Sequence, residues 1–329
     1  MSEAKTVDAV RFVRRMAGRT QAHLLRASDG RDYVVKFGNN PQGRRIPVNE
    51  WISSCLLEHS GIFTQSAALI RVTPEFLAEN PAVHLGGRQA PMPVEPGRHF
   101  GSLYPGDASS ASVFDFLPDS LLCQIANQEH FRAILVFDKW LGHTGRRQCI
   151  FYREKVASAR LFNARFRWVA SMIGHGSAFN GAQWDFPDLA RGGLYPRCLV
   201  YRDVKSLEDF QPWLDQVSAF PEALIENTYE AVPQEYIEHD REHLEQLLDH
   251  LCQRREDVPA LLSECCQSAP EAFPLWSPAT LHSMPARLEN LFQAGACRTK
   301  GFVFSSFRIL RRMPMTPRCD LVPMLGAVA

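Results

Sequence analysis

Apolar and polar positions near the amino terminus follow the short period of β-strands broken by tight turns. Val10-Arg11-Phe12-Val13, Ala22-His23-Leu24-Leu25-Arg26 and Tyr33-Val34-Val35-Lys36-Phe37 are three such runs, and Asp29-Gly30 between the last two is a strong hairpin signal. The period then lengthens. Glu50, Trp51, Leu56 and Leu57 recur at helical spacings and predict a helix over Val48–Ser60, with Gly61 as its stop. A further strand is expected at Ala67–Val72. Residues 80–111 are rich in proline and glycine without a clear period, and read as a long loop leading to Ser112–Phe116. Such a loop inside a compact domain is more often functional than decorative.

From Leu121 the texture turns helical, with an apolar run at Ile134–Trp140. Two strand-like pieces follow, Gln148–Tyr152 and Arg167–Ile173. Residues 205–265 read as a charged helical lobe, in which Leu244, Leu247, Leu248 and Leu251 form a core stripe within Glu238–Arg255. His239, His243 and His250 recur there with partly helical spacing, which could suggest a metal but reads first as a solvated, charged face. Past Ala269 the character changes. Arg287–Arg318 has few acids, several arginines and Ser-Phe clusters, and a weakly ordered basic tail is expected over 269–329.

Composition narrows the class of protein. The chain has 329 residues, 45% hydrophobic and 22% charged, with 36 basic residues balancing 36 acidic ones. That balance supports a globular protein with a sizeable core and gives no support to a nucleic-acid or membrane-surface partner. No apolar run approaches the length of a membrane span, and Met1–Ala9 lacks the order of a signal peptide. Nine scattered cysteines without paired spacing suggest free thiols and a cytoplasmic location. Zinc spacing, Walker-type and Rossmann glycine patterns and a His-Glu-x-x-His motif are all missing.

The order of parts carries the chemistry. A sheet bearing a lysine, then a helix bearing a glutamate, then a connector into a helical lobe, is the order found in protein kinases. A strand lysine places a positive charge on the nucleotide phosphates, and a helix glutamate holds that flexible side chain in place. Lys36 closes its strand and Glu50 follows in the next helix. Taken alone, such a pair is more often a surface ion pair.

Wider motifs sharpen this reading. Phe12-Val13-Arg14-Arg15-Met16, Tyr33-Val34-Val35-Lys36-Phe37, Asn49-Glu50-Trp51, Val72-Thr73-Pro74-Glu75-Phe76, His99-Phe100-Gly101-Ser102 and Asp115-Phe116-Leu117-Pro118 stand in the amino-terminal part. Val136-Phe137-Asp138-Lys139-Trp140, Phe179-Asn180-Gly181, Trp184-Asp185-Phe186-Pro187-Asp188 and Gly193-Leu194-Tyr195 follow. In this order they resemble the HipA-like kinase family, from about residue 8 to about residue 265.

The resemblance implies a two-lobed, protein-kinase-like α+β fold. Its lobes would be an antiparallel β-rich amino-terminal lobe over 1–118 and a helical lobe over 119–268. It also implies ATP and Mg²⁺ as cofactors and transfer of phosphate to a serine or threonine of a protein substrate. Lys36 would be the nucleotide-phosphate lysine and Glu50 its partner. Asp115, Phe116 and Leu117 would be the hinge facing adenine, Asp138–Phe151 the catalytic loop, and Ile173–Phe179 the metal-binding loop.

Three positions depart from the family pattern. The catalytic aspartate falls on Gly145 and its companion asparagine on His143, while the metal-chelating aspartate falls on Gly174. Phosphoryl transfer needs Mg²⁺ across the phosphates and a carboxylate that orients the nucleophile. Loss of either typically removes on the order of 10²-fold in rate, so catalysis is expected to be impaired. His143, His175, Gln148, Asp185 and Asp188 are the nearby substitutes, with Asp185 the metal candidate and Arg147 a candidate phosphate contact. Histidine is a poor ligand for Mg²⁺, which prefers oxygen. Two alternatives stand beside an impaired kinase. One is a pseudokinase that binds a protein partner as a scaffold. The other is a small-molecule phosphotransferase of kinase-like fold, which would need the same two carboxylates.

Overall fold

The amino-terminal alternation folds into consecutive antiparallel strands β1 (Thr6–Arg15), β2 (His23–Ala27) and β3 (Asp32–Lys36). The β2–β3 turn rests on Gly30 at φ +76°, a region open to glycine, and Asp29 Oδ1 accepts the Arg31 N–H at 3.1 Å. This computed structural model describes residues 5–86, 90–106, 113–156 and 165–277.

Helix α1 (Arg45–His59) begins about a turn before the expected Val48, because Pro47 sits in its first turn, where no N–H is needed. Ile46–Ser54, Leu56 and Leu57 are all buried, Asn49 and Glu50 among them. A helix enclosed on every side is an internal element, and α1 is wedged between the barrel and the helical lobe. Strand β4 (Ala67–Val72) lies where its pattern places it. Thr73 then caps α2 (Pro74–Glu79) by accepting the Phe76 N–H at 3.1 Å.

Residues 80–111 correct the reading of a long loop. They contain β5 (His84–Gly86), β6 (Pro91–Pro93) and β7 (Gly97–Leu103). β7 is central, bonded to β3 on one side and β4 on the other, in a closed barrel of order β1-β2-β3-β7-β4. Two residues hide it from a hydrophobic pattern. Gly101 carries no side chain because a Cβ there would stand 2.5 Å from Ile70 Cγ1. His99 is buried, and its Nδ1 accepts the Gly38 N–H at 3.0 Å. The barrel closes through a parallel contact between β1 and β4, from Thr6–Leu69 to Asp8–Arg71, so the lobe is not wholly antiparallel. Leu25, Val35, Phe37, Ile70 and Leu85 fill its interior.

The chain leaves the barrel through 113–118, where Phe114 exchanges backbone bonds with Phe151 at 2.9 and 2.7 Å. Short α3 (Asp119–Leu122) leads to α4 (His130–Trp140), buried from Ala133 to Trp140. Hairpin β8 (Gln148–Val156) and β9 (Arg165–Ile173) follows, and both strands outrun their expected lengths at the far end. The remainder is helical: α5 (Trp213–Ser218), α6 (Glu222–Glu230), α7 (Gln234–Ile237), α8 (Arg241–Gln253) and α9 (Val258–Ser268).

The leucine stripe of α8 is buried as patterned, and Leu251 O accepts the Trp140 Nε1–H at 2.9 Å. His250 packs edge-on against Phe186 at 4.6 Å instead of joining His243 at a metal. Packing continues beyond Ala269, through Ala272 and Phe273, to the Ser277–Lys205 backbone bond of 3.0 Å. The rest of the expected tail, 278–329, lies outside the described residues. Cysteines 55, 123, 149, 198, 252, 265 and 266 are free. Among the described residues no helix is long and apolar enough to cross a membrane.

Candidate active site

The inner end of β3 and the middle of α1 meet at Lys36 and Glu50. Lys36 Nζ donates to Glu50 Oε1, and both side chains are almost wholly buried. The ammonium also stands 6.0 Å from the centroid of the Phe100 ring on β7. The same Glu50 oxygen accepts the Gly176 N–H at 2.6 Å, which ties the pair to the loop after β9. The sequence nominated these two residues as a pair, and in the fold they are in contact.

Asn49, one residue earlier, was not singled out. Its side chain reaches the carbonyls of Gly176, Ala178 and Gly181 at 3.1, 2.9 and 2.8 Å and accepts the Trp184 Nε1–H at 2.7 Å. Its sequence signals are the Asn49-Glu50-Trp51 motif and the polar Asn-Glu pair among the buried positions of α1.

Asp115 and Phe116 are exposed, while Leu117 is buried. Arg197, also not nominated, organises this segment. Its guanidinium donates to Leu117 O, pairs with Asp119 and lies 4.4 Å over the Phe116 ring.

The two glycines at expected aspartate positions lie apart in sequence, Gly145 after α4 and Gly174 directly after β9. Gly145 has room for no more than its hydrogen, since a Cβ would meet Ser177 Oγ at 2.9 Å and His143 Cε1 at 3.3 Å. Gly174 takes φ +75°, and a Cβ there would be 2.8 Å from Gln148 Oε1, the free end of an exposed side chain. His143 lies between them, Nδ1 3.1 Å from Gly145 O and Nε2 3.3 Å from Gly174 O. Burial, then the charge of Arg147, holds its pKa below the ordinary imidazole value.

His175 is enclosed, and burial foremost holds its pKa well below the ordinary value. Its Nδ1 accepts from Arg147 Nη1 at 3.2 Å, which leaves the proton on Nε2, facing Thr64 Oγ1 at 3.2 Å. Thr64 in turn donates to Met172 O at 2.9 Å, so a neutral ring satisfies every partner.

Arg147 is buried, with its guanidinium engaged inside the protein. Its Nε donates to Asp138 Oδ2 at 2.7 Å, and Nη1 donates to Ile173 O at 2.9 Å. Asp138 is thereby committed to an internal ion pair. Asp185 is exposed and accepts from Asn180 Nδ2 at 2.7 Å, and Asp188 pairs with Arg254. Among the described residues no cluster of His, Cys, Asp or Glu is suited to a metal ion. The donor set therefore does not fit Mg²⁺: a glycine occupies each key position and the nearest carboxylates are bound elsewhere.

A β-barrel lobe whose strand lysine is held by a helix glutamate, set on a helical lobe, defines a two-lobed, protein-kinase-like α+β fold. A family model described as HipA-like kinase matches residues 9–180, just over half of the chain. The chain belongs to the HipA-like kinase family. No curated protein matches its sequence. Two solved structures align with 82% of the chain at 12% identity. One is the Golgi casein kinase with Mn/ADP bound, with 74% of that chain covered and a TM-score of 0.41. The other is a crystal structure of the Golgi casein kinase, with 73% covered and a TM-score of 0.45.

Proposed function

We propose that this protein binds ATP in the manner of a protein serine/threonine kinase of its family, without an efficient transfer step, in the cytoplasm. The observation that carries the reading is a contrast within one site. The buried Lys36–Glu50 pair is complete, while Gly145 and Gly174 supply no carboxylate. Lys36 would hold the nucleotide phosphates, Glu50 would hold Lys36, and the backbone of Asp115–Leu117 would meet adenine. A lysine charge lowers the repulsion between phosphate oxygens, which a nucleotide without bound Mg²⁺ feels most.

No step is assigned to Mg²⁺, because the residues present do not form its site. His143 and His175 are no substitutes for the missing base. Both imidazoles are buried and engaged with carbonyls, Arg147 or Thr64. A protein partner held by the lobes, as in a pseudokinase, is favoured over catalysis by the same contrast. A small-molecule phosphotransferase gains nothing from it.

The test is thermal unfolding with ATP, with and without Mg²⁺. A ligand at about 100 times its dissociation constant stabilises by about 2.7 kcal/mol, several degrees in midpoint. The expected result is a shift with ATP alone, unchanged by Mg²⁺ and absent in Lys36→Ala. A shift that requires Mg²⁺ sinks the impairment reading, and no shift with ATP sinks the nucleotide reading.

A further inference from the structure

The segment after the Gly174 loop is held in an unusual backbone. Phe179, Asn180, Trp184 and Asp188 have φ of +56°, +55°, +57° and +49°, the left-handed region that side chains disfavour. Such residues persist only where their surroundings over-determine them. Phe179 and Asn180 donate backbone bonds to Leu141 O and Gly142 O and Asp188 pairs with Arg254, while two positions on α1 hold the carbonyls between 176 and 183.

Asn49 sits within reach of the carbonyls of Gly176, Ala178 and Gly181 and accepts from Trp184 Nε1. Arg45 is one helical turn earlier, on the same face. Its Nη1 donates to Ala182 O at 3.1 Å and Gln183 O at 3.3 Å, and its guanidinium stacks 4.3 Å over the Trp184 ring. Asp240, at the start of α8, fixes the far side of the guanidinium, accepting from Arg45 Nε at 3.1 Å and Nη2 at 2.5 Å. Five consecutive contacts along one stretch of backbone specify the shape of the loop, which apolar packing alone does not do.

We propose that Arg45 and Asn49 are positioning residues that lock Gly176–Trp184 onto α1 in the ligand-free protein. Glu50, next to Asn49 and bonded to Gly176 N–H, is thereby held against Lys36 before a nucleotide arrives. A loop with no metal ligand at Gly174 takes its order from the helix. The inference rests on the nucleotide reading of Lys36 for its purpose, though not for its geometry.

Hydrogen–deuterium exchange of the full chain, followed by mass spectrometry with and without ATP, tests it. In the natural protein the amides of Gly176–Trp184 are expected to be equally protected in both conditions. Asn49→Ala and the milder Arg45→Met should speed exchange there by about tenfold or more, with strands β2, β3 and β7 unchanged. The ATP dissociation constant should rise in the same variants.

Free exchange of the segment without ATP, cured only by adding it, overturns the proposal. An acceleration spread evenly over the barrel does so too, since it marks a merely structural role. Should ATP fail to bind at all, protection in the ligand-free protein still decides the clamp, and the nucleotide reading alone falls.

Discussion

Arg147 and Asp138 face each other as a two-pronged ion pair between α4 and β8, with side chains 1% and 0% exposed. An arginine next to a catalytic loop invites a phosphate-binding role, and here it is structural. Breaking a buried pair from one side strands the other charge. Arg147→Met is expected to lower stability by about 3–5 kcal/mol in urea unfolding, and adding Asp138→Leu should recover part of the loss. A phosphate contact would behave otherwise, weakening ATP binding at constant stability.

Placing aspartates at Gly145 and Gly174 tests the proposed lack of a transfer step. Gly174→Asp must accept a left-handed backbone, which aspartate tolerates better than most residues, and only the mobile end of Gln148 stands in its way. Gly145→Asp must displace Ser177, 2.9 Å from the new Cβ. Radiolabelled phosphate transfer, including autophosphorylation, is expected in Gly145→Asp/Gly174→Asp and in neither single variant. Lys36→Ala should abolish it. Ser177→Gly should raise the yield of the double variant by removing the clash.

Gly101 is the tightest point of the barrel. Gly101→Ala drives a methyl against Ile70 Cγ1 at 2.5 Å, a misfit that typically costs about 1–3 kcal/mol. Shortening the neighbour with Ile70→Val in the same chain should return part of it. A double-mutant cycle in urea measures the coupling.

Acid should destabilise the protein through its buried histidines. His99 is held neutral by burial, with its pKa pushed down to about 4, and His143 and His175 are lowered by the same cause. An unfolded histidine takes up a proton near its ordinary 6.5, so the unfolded state binds more protons below that pH. The stability His99 supplies is whole above pH 6.5 and is lost as pH falls toward 4, and His143 and His175 act in the same direction. His99 alone accounts for on the order of 3 kcal/mol. Urea midpoints at falling pH should drop through that window, less steeply in His99→Gln.

Local pattern made β2, β3, β4 and the body of α1 legible, because each declares itself within a few residues. β7 escaped because its defining features are contacts with distant residues: Gly101 is small for the sake of Ile70, and His99 is polar for the sake of Gly38. The site divides in the same way. Lys36 and Glu50 could be nominated from their places in a strand and a helix. Asn49 and Arg45 bond to carbonyls more than a hundred residues away, and backbone acceptors leave no mark in a sequence. Arg147 was nominated by its place in a loop, whereas its role is set by burial against Asp138.

One property of the sheets bears on how this protein meets other chains. The closed barrel has no free border onto which a foreign strand can add. In the small β5–β6 sheet, Pro91 and Pro93 leave β6 a single backbone donor, at Met92. The roots of the β8–β9 hairpin are covered by the Phe114–Phe151 and Thr64–Met172 bridges. The outer half of that hairpin, over 153–156 and 165–167, makes its backbone bonds only within the hairpin among the described residues. Arg153, Glu154, Lys155 and Arg167 stand on it, and charges on such an edge oppose fibril-like growth.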